Sequence, residues 1–367
     1  MKKFIVIFFI LFIFLVPTIT LLTPDKKFSD IENKILQKFP DVSFNNIIST
    51  KFMNDFDKYT SDQFPFRVDF IKTKNIYSYI IGQREFRNIY ICNNRLLEKF
   101  EFNKDIVDKN IADISNISND LKTKYNINTK LIVIPTSIAL YENLLKSYMK
   151  TDNQLDVLSY IEDKYLSSSI NSSFYTPLNI LNKNKDSYIF FNTDHHWTQL
   201  GAKLAYEDMY STKVDDKPTL VTNEFYGTYY SKAILDFIKP DTIYAYEKFN
   251  NFKLTMDFND NYSTLYDKNK LNGKNKYQYF LHGDPAIGVI KGNINSDKEI
   301  LIFKDSFAHS FMPFLTSNYR KIHFVDPRYY DLDLYTYLES NKNISEVLFM
   351  NNISTFNSYE LFNKIPL

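Results

Sequence analysis

Four short apolar runs limit what this chain can fold into more than any other feature. They are "LIVI" (131–134), "ILIF" (300–303), "IHFV" (322–325) and "VLFM" (347–350). Each has the length of a strand, and polar residues follow each, at once or, after "LIVI", beyond Pro135. Runs apolar on both faces belong to strands buried on both faces, as in parallel sheets. Between the runs lie stretches of helical period. In "VDKNIADISNISNDL", Val107, Ile111, Ile114 and Leu121 share one face. "QLDVLSYIEDKYL" and "QLGAKLAY" repeat the pattern, and "KDSYIFF" (185–191) reads as one more strand. Strands alternating with helices predict an α/β fold with a mostly parallel sheet covered on both faces. In such folds ligands bind at the carboxyl ends of the strands.

The N-terminus imposes a second constraint. Residues 4–22 are almost wholly apolar and follow two lysines. That length is near the ~20 residues that cross a hydrocarbon core, and the lysines favour a cytoplasmic start. No clear small-residue cleavage site follows, which favours a retained anchor, with a cleaved signal peptide as the alternative. The expected organisation is a transmembrane signal-anchor over 1–23, a juxtamembrane helical segment over 24–90 with two helices broken at Pro65, and a catalytic domain over 91–367. The chain is thus expected in the cell membrane, single-pass, with its catalytic domain extracellular. The net charge of +1 carries no footprint for nucleic acid. The one cysteine, Cys92, cannot form an internal disulfide.

The polar residues at the strand ends carry the chemistry. Ser306 follows "ILIF", where a strand stops and a helix begins, so its hydroxyl and the free N–H groups of the turn face outward together. "TDHHWT" (193–198) holds two of the five histidines and the only tryptophan. In an extended segment Asp194 and His196 lie on the same side, so Asp194 can orient His196 as a base for Ser306. His195 then points away and supports, and Trp197 buries its ring to fix the turn. The bland alternative is that Asp194 and Ser306 only cap helices. Asp194, His195 and His196 could also ligate a metal, but adjacent histidines do not aim at one ion and no zinc motif accompanies them. No metal and no cofactor is expected. His309 is an alternative base three residues beyond Ser306. Arg328, after "IHFV", suits either a pairing with Asp326 or a substrate oxygen.

"TDHHWT", with "KDSF" downstream, resembles the signature of the DHHW family, which is similar to the extracytoplasmic alginate O-acetyltransferase proteins. "DIENKILQKFP", "DKYTSDQFPFR" and "VDPRYY" extend the likeness. The resemblance implies an SGNH-hydrolase-like three-layer fold, circularly permuted because the serine follows the Asp-x-His pair. It implies Ser306 as nucleophile, His196 as base and Asp194 as orienting acid. Lys304 stands where ordinary SGNH hydrolases carry the glycine of "GDS", their separate glycine and asparagine oxyanion donors have no traceable match, and Arg328 and Asn352, with His195 and Trp197, are the substrate or oxyanion candidates. The implied activity is O-acetyl transfer to a cell-wall or secreted polysaccharide through a serine ester, with a membrane-bound O-acyltransferase as acetyl donor. A carbohydrate acetyl esterase, or a non-catalytic polysaccharide-binding or export module, is the alternative.

Overall fold

The structure, a computed structural model, describes residues 2–258 and 260–365; Met1, Asn259, Pro366 and Leu367 lie outside it. The chain forms two compact units. One takes in Met1–Arg87 and Tyr230–Lys239, the other Asn88–Tyr229 and Pro240–Leu367. Residues 230–239, expected within the 91–367 domain, pack instead with the first unit. Asn75 Nδ2 donates to the Ala233 carbonyl at 2.7 Å, and Lys72 pairs with Asp236 at 2.9 Å.

In the first unit, α1 (Lys2–Leu22) contains an unburied window, Lys3–Thr20, of mean hydropathy 2.5. It is long and apolar enough to cross a membrane. After the short helix Phe44–Ile48 come two longer ones, α2 (Lys51–Asp62) and α3 (Arg67–Ile80), separated at Pro65, which disfavours a helical residue before it. The stretches "DIENKILQKFP" and "DKYTSDQFPFR" are each other's partners. The Arg67 guanidinium grips the buried Glu32 carboxylate at 3.0 and 3.1 Å, and Lys34 meets the buried Asp62 at 2.6 Å.

The second unit is built on an eight-stranded sheet. Its strands in chain order are β1 (Asn128–Ile134), β2 (Ser173–Tyr175), β3 (Lys253–Met256), β4 (Asp260–Tyr262), β5 (Ile287–Lys291), β6 (Glu299–Lys304), β7 (Lys321–Val325) and β8 (Ile344–Asn352). Their spatial order is β4, β3, β5, β7, β6, β8, β1, β2. From β7 to β2 all neighbours are parallel; β5, β3 and β4 extend the sheet antiparallel. The four apolar runs are therefore the four adjacent central strands β7, β6, β8 and β1, and all end at one edge.

Helix α4 (Lys104–Tyr125) shows why the pattern was readable. Asn103 caps it by accepting from the Ile106 N–H, and Asn126 ends it in the left-handed conformation at φ 54°. Val107, Ile111, Ile114 and Leu121 are all buried, against α5 (Gln154–Ser168) and β1. The last long helix, α6 (Gln199–Met209), starts at Thr198, whose hydroxyl accepts from Gly201 N–H.

One expected strand is absent. "KDSYIFF" makes only an isolated bridge, Phe190 to Trp197, although Ile189, Phe190 and Phe191 are fully buried. Burial in a core loop, not strand pairing, accounts for its apolar composition. The polar stretch near 215–275 forms an antiparallel pair, Thr219–Phe225 with Asp241–Ala245, and the edge strands β3 and β4.

Candidate active site

Two turns build the site. The first is the irregular segment 192–196, between the buried apolar loop and α6. The second is the 3₁₀ turn Ser306–Ser310, directly after β6. Asp305 caps that turn: one carboxylate oxygen accepts from Phe307 N–H at 2.9 Å, the other from Asn352 N–H and its side-chain amide at 2.7 and 2.6 Å. Ser306, heading the turn, is only half-buried. Its own N–H has no acceptor among the described residues.

Asp194, His196 and Ser306 come together. His196 Nδ1 lies 2.5 Å from Asp194 Oδ1, and His196 Nε2 lies 2.7 Å from Ser306 Oγ. Since Asp194 is an acceptor, Nδ1 carries the proton and Nε2 accepts from the serine hydroxyl. Burial alone would raise the Asp194 carboxyl, but His195, His196 and its hydrogen bonds outweigh it and hold the group well below the usual carboxylate range. Those bonds come from His196 N–H and from Thr228 N–H and hydroxyl.

The reason for the Asp194–His196 contact is not the extended geometry expected. Residues 192–196 bend, and so His195 does not point away. Its ring lies against that of His196, centroids 3.7 Å apart, and its Nδ1 stands 3.6 Å from Asp194 Oδ1. Thr228 gives its single hydroxyl proton to Asp194, so His195 Nδ1, 2.6 Å from the same oxygen, is the donor there. Burial, then the neighbouring His196, push the His195 ring down to about 4.

Trp197 does more than fill space. It is fully buried, and its Nε1–H donates to the Phe307 carbonyl at 2.9 Å. The histidine turn and the serine turn, over a hundred residues apart in sequence, are thereby tied directly.

The oxyanion candidates fare differently. Asn352 is spent on structure. Its amide donates to Asp305 and to Thr355 Oγ1, and its carbonyl oxygen caps the following helix at Ser354 and Thr355. It has no donor left, and the expectation of an oxyanion role for it is corrected. Arg328 forks onto Asp326 at 2.9 and 2.7 Å, leaving Nη1 without a partner among the described residues. Lys304 is fully buried, with its ammonium aimed at Pro285 O, His309 Nε2 and Asp326 Oδ2. His309 is thus held by Lys304, while His196 holds the serine. A metal at Asp194, His195 and His196, whose ligand atoms lie within 4.8 Å of one another, would have to displace these hydrogen bonds.

Three contributors carried no sequence signal. Asp241 accepts from Tyr188 OH, Asn192 N–H and both donors of Thr193, fixing the loop into Asp194. Gly227 passes so close that an added Cβ would stand 2.2 Å from Asp194 Cβ. Tyr277 stacks on His196 at 3.6 Å with an interplanar angle of 9°.

Fold and site together define a mixed α/β protein with a serine–histidine–aspartate constellation at the carboxyl edge of a largely parallel sheet. The chain belongs to the DHHW protein family, whose profile matches residues 81–325. Among solved structures, a DHHW family protein from Eubacterium siraeum is 21% identical, with 76% of this chain and 95% of that one covered and a TM-score of 0.62. PatB1 of Bacillus cereus, in a structure with a sulfonyl adduct, is 19% identical over 76% and 98%, with a TM-score of 0.61. At these identities the likeness is one of fold. The O-acetyltransferase domain of AlgJ from Pseudomonas putida is more distant, 13% identical over 74% and 93%, TM-score 0.46. No curated protein matches the chain.

Proposed function

We propose that this protein is a serine O-acetyltransferase acting outside the cytoplasmic membrane on a cell-wall or secreted polysaccharide. The observation that carries the proposal is His196, which bridges Asp194 and Ser306 at 2.5 and 2.7 Å. The SGNH-hydrolase-like, circularly permuted architecture, the role of α1 as a retained anchor, and a membrane-bound O-acyltransferase as acetyl source belong to the same reading. The sulfonyl adduct in the PatB1 structure agrees with a reactive group in a protein of this shape.

The chemistry runs in two halves. His196 Nε2 takes the Ser306 proton as Oγ attacks the acetyl carbonyl of the donor. The charge that develops on the carbonyl oxygen meets the unclaimed N–H of Ser306, at the head of its turn. Arg328 Nη1 is the candidate second donor. The leaving group departs with the proton from His196. In the second half a sugar hydroxyl gives its proton to His196 and its oxygen bonds to the acetyl carbon. The Ser306 ester breaks, and Oγ recovers the proton. Asp194 stays ionised and holds the imidazole in its Nδ1–H tautomer.

The test is direct. Full-length protein treated with p-nitrophenyl acetate should carry one acetyl group on Ser306 by peptide mass spectrometry, and Ser306→Ala should carry none. Wild-type protein that neither turns the ester over nor gains mass at Ser306 refutes the enzyme and leaves a polysaccharide-binding module in its place.

A further inference from the structure

The His196 imidazole is enclosed on every side but one. In its plane, Nδ1 is taken by Asp194 and Nε2 by Ser306. One face is covered by Tyr277, centroids 3.6 Å apart and nearly parallel. His195 covers the ring at 3.7 Å with a tilt of 37°. Tyr277 is itself fixed. It is buried, flanked by the Phe191 and Phe280 rings at 6.2 and 5.4 Å. Its hydroxyl donates to the main-chain carbonyl of Ser306 at 3.2 Å and lies 3.1 Å from Ser310 Oγ. Burial keeps that phenol protonated and hence a donor. One side chain thus touches both the ring that would act as base and the backbone of the residue that would act as nucleophile.

Two consequences follow from the contact distances. A ring held flat at 3.6 Å cannot swing about its Cβ–Cγ bond without striking its neighbour, so the Nε2–Oγ alignment is kept between turnovers. The Tyr277 ring also fills the space in which water would lie against that face of the imidazole, while an acceptor hydroxyl must come along the Nε2 edge.

We propose that Tyr277 is a positioning residue for His196 and that, by covering the imidazole face, it sets how the acetyl-serine partitions between an acceptor hydroxyl and water. This rests on the acyl-transfer reading above. In both outcomes the acceptor O–H gives its proton to His196, its oxygen bonds to the acetyl carbon, and the Ser306 ester breaks. Only the acceptor differs: a sugar-like alcohol yields a new ester, and water yields acetate. With the Tyr277 ring gone, the space beside the base admits water, and hydrolysis gains.

Full-length wild type, Tyr277→Phe, Tyr277→Leu and Tyr277→Met are compared with p-nitrophenyl acetate as donor and glycerol as acceptor. Thermal melts establish folding, and Tyr277→Met, which refills most of the volume, serves should Tyr277→Leu not fold. The ratio of acetate to glyceryl acetate is read alongside kcat and KM. Tyr277→Phe keeps the stacked ring and should retain the wild-type ratio with a small loss of kcat. Tyr277→Leu and Tyr277→Met should lose roughly 10²-fold in kcat at little-changed KM, the cost of a base displaced by about 1 Å, and shift the products toward acetate. Folded Leu or Met variants with wild-type kcat and product ratio overturn the inference, as does a Phe variant that shifts the ratio as much as they do. An inert wild type refutes the acyl-transfer reading itself and this inference with it. An active wild type with indifferent variants refutes this inference alone.

Discussion

Replacing Gly227 by alanine tests the site through a residue that carries no chemistry. The new Cβ would stand 2.2 Å from Asp194 Cβ, 2.4 Å from Oδ2 and 2.7 Å from Cα. Unbonded carbons rest at about 3.5 Å, so one partner must yield by ~1.3 Å, which is 3.5 minus 2.2. Asp194 cannot give way freely. Its Oδ1 holds His196 at 2.5 Å, and its Oδ2 holds Thr228 at 2.7 and 2.8 Å. A shift of that size stretches the carboxylate–imidazole bond past the usual ~3.2 Å limit. Overpacking of this kind costs about 1–3 kcal/mol in stability. Activity should suffer far more, by roughly 10²-fold for a misplaced group and up to roughly 10⁴-fold if orientation of the base is lost entirely. The assay is kcat/KM on p-nitrophenyl acetate beside a thermal melt. Gly273→Ala is the control, because its Cβ would meet only Lys270 O at 3.6 Å, an ordinary contact. A folded Gly227→Ala variant with wild-type kcat/KM would refute the reasoning.

Two further predictions concern the same cluster. Trp197→Phe removes the indole donor to the Phe307 carbonyl and leaves that oxygen with the long 3.5 Å contact from the Ser310 hydroxyl; it should lower stability by about 1 kcal/mol and reduce acetylation of Ser306, and a melting curve unchanged from wild type would count against the link. The folded state holds the His195 ring at about 4 against roughly 6.5 in the unfolded chain. The unfolded state therefore binds more protons between those values, so the contribution is present in full above about pH 6.5 and is withdrawn as pH falls to about 4. His195→Asn, which keeps a donor for Thr228, should flatten the melting-temperature profile over that window, and parallel profiles for wild type and variant would defeat the argument.

Much of this architecture could be read because local physics wrote it into local pattern. The four central strands are buried on both faces, so "LIVI", "ILIF", "IHFV" and "VLFM" are apolar but for His323, whose ring is matched by Glu299 and Tyr337. Helix α4 carries its apolar face in its period and its ends in Asn103 and Asn126. Ser306 was legible because it follows a buried strand, and Asp194 and His196 because two of the five histidines and the only tryptophan crowd into one short segment. What escaped has the opposite character. Asp241 at the start of a strand, Gly227 in a loop and Tyr277 in a 3₁₀ turn reach the site from distant parts of the chain, and nothing in a neighbour's identity records a contact thirty or eighty residues away. The strand expected at "KDSYIFF" failed because burial alone makes a segment apolar, whether or not its backbone is paired. Asn352 misled for a related reason. An asparagine at a strand end is as suited to capping the next helix as to holding an oxyanion, and here the cap uses every donor it has.

The tie between Trp197 and the Phe307 carbonyl also gives the molecule a natural optical probe. Trp197 is the sole indole in the chain, and it is bonded one residue beyond Ser306. Its emission therefore comes from a single, sheltered spot whose polarity would change with the proposed ester on the Ser306 oxygen. Stopped-flow fluorescence of the unlabelled protein would follow loading and unloading of that serine in real time, without a reporter group to disturb it.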